Sequence, residues 1–156
     1  MEWLTSGISP LIDLISFLHK KADTTDVLKK HLIIELRDNL NVFRNAFINN
    51  VDHDELIELL HNNAYQDAIK NNFSFRKLKK GLIAPVHVRD DRNRRYIGWT
   101  IEKLVDKIDE KIVELKNIKR LNGGTVKGVK NDTSQMVSNL YYRMKLMADC
   151  IRSAPH

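Results

Sequence analysis

The sequence predicts an all-α fold, a bundle of four to five helices, and three observations carry that prediction. Apolar residues recur in steps of three and four over three long stretches, each flanked by capping residues. No segment alternates with a period of two; the nearest, Val86-His87-Val88, is too short to build a sheet. Only six Gly and three Pro stand in 156 residues to break helices. A chain of this length fits a single helical domain over residues 1–156 and can bury a sizeable core.

Pro10 suits a first helical position, with Ser9 before it as cap, for a helix over residues 11–21. The run from Trp3 to Leu18 is unusually apolar, yet its only nearby cations are Lys20 and Lys21. An interfacial membrane helix carries several cations along its polar face, so packing on the bundle or on a second copy of the chain is expected. The next pattern spans about residues 25–49, with Leu28, Leu32, Leu36, Leu40, Phe43 and Phe47 on one face. Asp23, Thr24 and Thr25 are candidate N-caps for it. Asp52 followed by Glu55 opens a shorter helix with Leu56, Leu59 and Leu60 inward. Asn62 and Asn63 interrupt it before Ala64, Tyr65, Ala68 and Ile69 resume an apolar face. Residues 74–80 fit one or two turns closed by Gly81, and residues 82–98 form the one sizeable irregular segment.

Ile101, Leu104, Val105, Ile108, Ile112, Leu115 and Ile118 make the clearest stripe, with Lys103–Asp106, Lys107–Glu110 and Lys111–Glu114 as favourable neighbours beside it. That helix stops at Asn122-Gly123-Gly124. The last helix covers about residues 133–151, opened by Asp132 with Gln135 and turning Met136, Leu140, Met144, Met147 and Ile151 inward. The loop between these two permits a C-terminal antiparallel helical hairpin. Leu36, Leu40, Phe43, Ile108, Ile112, Leu140 and Met144 are the expected core.

The net charge of +6 is concentrated in two places. Residues 76–95 hold Arg76, Lys77, Lys79, Lys80, Arg89, Arg92, Arg94 and Arg95 against Asp90 and Asp91; residues 116–130 hold five cations and no acid. The other 121 positions carry 13 basic and 18 acidic residues, so a mildly acidic body bears two basic segments. The first segment mixes arginine with Phe73, Phe75, His87, Tyr96 and Trp99, a combination suited to phosphates and bases. The same aromatics equally suit anchoring a loop whose cations are solvated. In the second, Lys116, Lys119 and Arg120 sit where a helix C-terminus favours cations, and Lys127 and Lys130 read as solubilising loop residues. The spacing of Gly123 and Gly128 lacks the Lys, the hydroxyl residue and the strand of a phosphate-binding loop.

No catalytic constellation stands out. His53, Glu58 and His61 supply one Glu-x-x-His step where a di-iron bundle needs two, so no metal site is expected. Some helical nucleases place a His four to six residues after an Arg; Arg44 and His53 are too far apart for that. The lone Cys150, among Met147, Ala148 and Ile151, reads as a small buried apolar residue, and no internal disulfide can form. The N-terminus has no basic n-region, and no run reaches the roughly 18 apolar residues of a membrane span. A cytoplasmic location and no cofactor are expected. The expected role is non-enzymatic: a helical interaction module that holds a protein partner, a second copy of itself, or both. The alternative is nucleic-acid or other polyanion binding through residues 76–95.

Overall fold

The computed structural model describes Leu4 and residues 7–154; Trp3, part of the apolar N-terminal run, lies outside them. Six α-helices follow in order: α1 Ile8–Lys21, α2 Val27–Ile48, α3 His53–Leu59, α4 Asn63–Lys70, α5 Ile101–Leu121 and α6 Thr133–Ser153. No strand occurs among the described residues, only a single antiparallel bridge between Leu82 and Thr100. The chain is an all-α bundle.

Side-chain caps set most helix starts. Asp52, Thr100 and Asp132 each accept the backbone N–H three residues on. Two expected caps move. Helix α1 begins at Ile8 with Gly7 at the N-cap, so Ser9 lies inside its first turn. Helix α2 is capped by Asp26, because the backbone N–H groups of Asp23 and Thr24 close the end of α1 and the Thr24 hydroxyl accepts from Asp26. Gln135 forms only half of a capping box, since its side chain bonds Asn139 instead. Helices α2 and α4 end on left-handed asparagines, Asn50 and Asn72, and α5 on Gly123. In each case a following N–H reaches back to satisfy an orphan carbonyl, as Val51 does on Ala46, Phe73 on Ala68 and Gly124 on Lys119.

Leu11, Leu14 and Leu18 of α1 are buried against the bundle, leaving Ile12, 44% exposed, as the large apolar side chain of α1 that reaches solvent. The apolar N-terminal run is thus divided among the described residues: Leu4, Leu11, Leu14 and Leu18 are core, Ile8, Ile15 and Phe17 are partly buried, and Ile12 is exposed. All seven expected core residues are buried. Helix α6 departs from a simple amphipathic helix: α1, α2, α3 and α5 all pack on it, and it buries Ser138, Arg143, Lys145 and Asp149 as well as its apolar stripe. Helices α5 and α6 form the expected hairpin. Its loop is fastened by Asp54 of α3, which accepts from the Thr125 hydroxyl at 2.6 Å and the Val126 N–H at 2.6 Å.

Truncating Leu40, fully buried at the middle of the bundle, to Ala should cost roughly 2–5 kcal/mol in urea unfolding. A loss below about 0.5 kcal/mol would place that side chain at the surface instead.

Candidate functional site

Residues 82–98 are not a free loop. They form a strap closed at its base, where the Ile83 N–H donates to Trp99 and the Gly98 N–H to Ile83, each at 2.8 Å. Between these points lie two short 3-10 turns, Pro85–His87 and Asp91–Tyr96. The strap lies on α6, where Ser138, Tyr142, Lys145, Asp149 and Arg152 recur in steps of three and four. Strap and helix match group for group. Arg92 donates to the Ser138 hydroxyl at 3.0 Å and to the Asn139 carboxamide, and its guanidinium lies 4.1 Å from the Tyr142 ring centre. Buried Asn93 donates to the Tyr142 carbonyl. The Tyr96 hydroxyl accepts from buried Arg143 at 2.7 Å. Asp90 accepts from Lys145 at 2.6 Å, and Arg89 lies 3.6 Å from Asp149.

Asp149 is the centre of this network. It is 1% exposed and meets Lys145 at 3.5 Å, Arg152 at 2.8 Å and Arg89 from the strap. Burial pushes its carboxyl above the ordinary aspartate range, and the three cations pull the other way. Lys79 is buried too, at 6% exposure, and donates to the carbonyls of Lys80 and Leu82. It sits close enough to His87 to matter: burial first, then the Lys79 charge, hold the His87 ring below the usual histidine range. The His87 Nδ1 accepts the Ala84 N–H at 2.9 Å, a bond only a neutral ring can receive.

The eight basic residues of the sequence-predicted site therefore divide. Lys79, Arg89 and Arg92 bind the fold together, and Lys77 pairs with Asp26 at 3.0 Å. The side chains of Arg76, Lys80 and Arg94 are exposed, with no ion pair or side-chain hydrogen bond among the described residues, and exposed Arg95 stacks on Tyr96 at 5.0 Å. The aromatic residues serve as anchors: Phe73, Phe75 and Tyr96 are buried, and Trp99 is edged by Tyr96 and covered by Lys103 at 4.2 Å. Leu82, 58% exposed, and Val86, 78% exposed, are the large apolar side chains the strap leaves in solvent.

The second basic segment is partly structural as well, because Lys119 donates to the Asp54 carbonyl and to Glu58 at 2.8 Å and so ties α5 to α3. Glu58 is thereby engaged. His61 meets Asn39 of α2 through its backbone, in a pair of hydrogen bonds of 2.8 and 2.9 Å. No group of three His, Cys, Asp or Glu is placed to share a metal among the described residues. Burial pushes the Cys150 thiol up to about 12, so it stays protonated.

Sequence periodicity misses Glu35. It is half-buried on α2, and its two oxygens accept the N–H groups of Ala64 and Tyr65 at 2.9 and 3.2 Å, capping α4 from another helix. Burial raises its pKa. The clue in the sequence is that α4 opens at Asn62-Asn63, and Asn62 gives no side-chain cap. Glu35, Asn39, Asp109 and Tyr65 line a cavity of about 30 Å³ with Met144 and Met147, room for about one water molecule and too small for a substrate.

Replacing Asp149 by Ala should cost about 3–5 kcal/mol, the range for stripping one partner from a buried charge network. Arg94→Ala should stay within about 0.5 kcal/mol; equal effects in urea unfolding would contradict the division of roles. His87 and His53 both have folded pKa values below that of a free histidine, chiefly through burial. The unfolded chain therefore takes up protons first as pH falls through about 6.5, and stability should drop below that pH. Part of the drop should vanish in His87→Asn, read as melting temperature against pH.

Comparison with protein-family models, curated proteins and solved structures finds no match to this chain.

Proposed function

We propose that the chain is a non-enzymatic interaction module that holds a protein partner on the outer face of the strap. One observation carries this. The strap is fastened to α6 through its two 3-10 turns, yet it leaves Leu82 and Val86 in solvent, and Arg76, Lys80 and Arg94 of the same basic segment are exposed without an ion pair among the described residues. Apolar side chains on a backbone already ordered can bind without the entropy loss of folding a loop. Flanking cations suit an acidic partner and speed its encounter.

Polyanion binding on the same cations is the second reading, favoured by Arg76, Lys80 and Arg94 having no carboxylate partner among the described residues. Against it, Phe73, Phe75 and Tyr96 are buried and the Trp99 ring carries Lys103, which leaves this segment little ring surface on which a base could stack.

The two differ in salt response and in which residues matter. Affinity capture from the source cell should survive nuclease treatment and high salt, and Leu82→Asp with Val86→Asp should abolish it without changing the melting temperature. If instead the chain retains a single-stranded oligonucleotide, with retention falling at a log–log slope of roughly −0.7 per phosphate contact as salt rises, and the Arg76, Lys80 and Arg94 alanine variant loses it, the polyanion reading holds.

A further inference from the structure

Helices α1 and α2 pack side by side and leave a furrow of about 510 Å³ between them. None of its lining residues belongs to the strap. Ile12 and Ile15 of α1 give it an apolar wall, and Ser16 and His19 follow on the same helix face; Arg37, Asn41 and Arg44 line it from successive turns of α2. The cations are not equivalent. Arg37 is matched locally, its Nε and one terminal nitrogen on Asp38 at 3.1 and 3.0 Å, with Asp38 also in the lining. Its other terminal nitrogen reaches the Nδ1 of His19 at 3.1 Å. A guanidinium can only donate, so Nδ1 accepts and the His19 proton sits on Nε2, which makes that nitrogen a donor.

Arg44 has no such match. Its Nε is buried and finds no acceptor, and no carboxylate pairs with the guanidinium among the described residues. A buried donor without a partner costs about 1–3 kcal/mol, more when charged, and native folds rarely leave one so. The surrounding polar groups include a hydroxyl, an imidazole N–H and a carboxamide, all able to donate, beside a guanidinium lacking an anion. The complement to that set is an oxyanion, and the isoleucine wall suits an apolar body attached to it.

We propose that the α1–α2 furrow is a binding site for a phosphomonoester, with Arg44 as its principal ligand, Ser16, His19 and Asn41 as further donors, and Ile12 and Ile15 against the organic part.

The test uses the full chain titrated with inorganic phosphate, phenyl phosphate and acetate at equal ionic strength, followed by amide chemical shifts and by melting temperature. Inorganic phosphate should shift amides of α1 and α2 and raise the melting temperature, and phenyl phosphate should do so at lower concentration because of the isoleucine wall. Arg44→Gln should weaken both by about ten- to a hundredfold, the worth of a hydrogen bond to a charged group, while without ligand it should melt no lower than the parent chain, because it removes the unpartnered buried guanidinium nitrogen. Arg44→Lys should recover part of the affinity. Should Arg44→Gln not fold, Ser16→Ala, at an exposed position, carries the same comparison with a smaller loss. Acetate binding as well as phosphate would overturn the phosphate assignment. Titration without shifts in α1 and α2, or binding indifferent to Arg44 and Ser16, would overturn the site itself.

Discussion

A helix packed on nearly every side cannot leave charged groups unmatched, and α6 carries Arg143, Lys145 and Asp149 into the interior. Moving an ion out of water costs several kcal/mol even after relaxation, so each must meet a partner held in place by the rest of the fold. The helices α1, α2, α3 and α5 cover α6 with largely apolar side chains. The remaining polar stripe needs a cover that is itself polar, and the 82–98 strap supplies it through Asp90, Arg92, Asn93 and Tyr96. The strap is thus as much a part of the interior as a helix would be, although its backbone is irregular. Its pinned base, at Ile83 with Gly98 and Trp99, follows from that duty.

The same requirement explains why a basic sequence segment does not become a basic surface of equal strength. Four of its eight cations satisfy acids, hydroxyls and carbonyls of the fold, and the field that reaches solvent comes from the others. Contacts of this kind between distant segments recur across the molecule. Glu35 and Asn39, one turn apart on α2, grip the α3–α4 junction; Asp54 and Lys119 lock the end of the α5–α6 hairpin onto α3. Short helices that would be marginal alone are held by side chains from long ones.

Where a feature depends on local periodicity or on a cap three residues away, the sequence displays it: the α5 stripe and the Asp52 and Asp132 starts stand where the pattern puts them, and the break before α4 falls one or two residues early, at residues 60–62, with Asn63 already in α4. Features that depend on a partner far along the chain are hidden. Lys145 and Asp149 stand four residues apart in the sequence, and nothing nearby reveals that a strap some 55 residues earlier in the chain covers them. Lys79 lies in a run of cations that looks uniformly solvated, yet carbonyls of its own turn enclose it. Arg44 can be compared only with histidines near it in sequence, whereas the fold sets it in a furrow with His19. The apolar α1 run could serve a core or an interface equally, and only packing decides between them.

The single thiol has a practical meaning beyond its chemistry. Cys150 lies at zero exposure in the helix on which α1, α2, α3 and α5 pack, and burial keeps it in its unreactive protonated form. A thiol reagent in solution therefore meets it only when α6 is uncovered, so the rate of labelling clocks the opening of the bundle. Nature has left this chain with a built-in stopwatch for its own breathing, read by mass and needing no engineered probe.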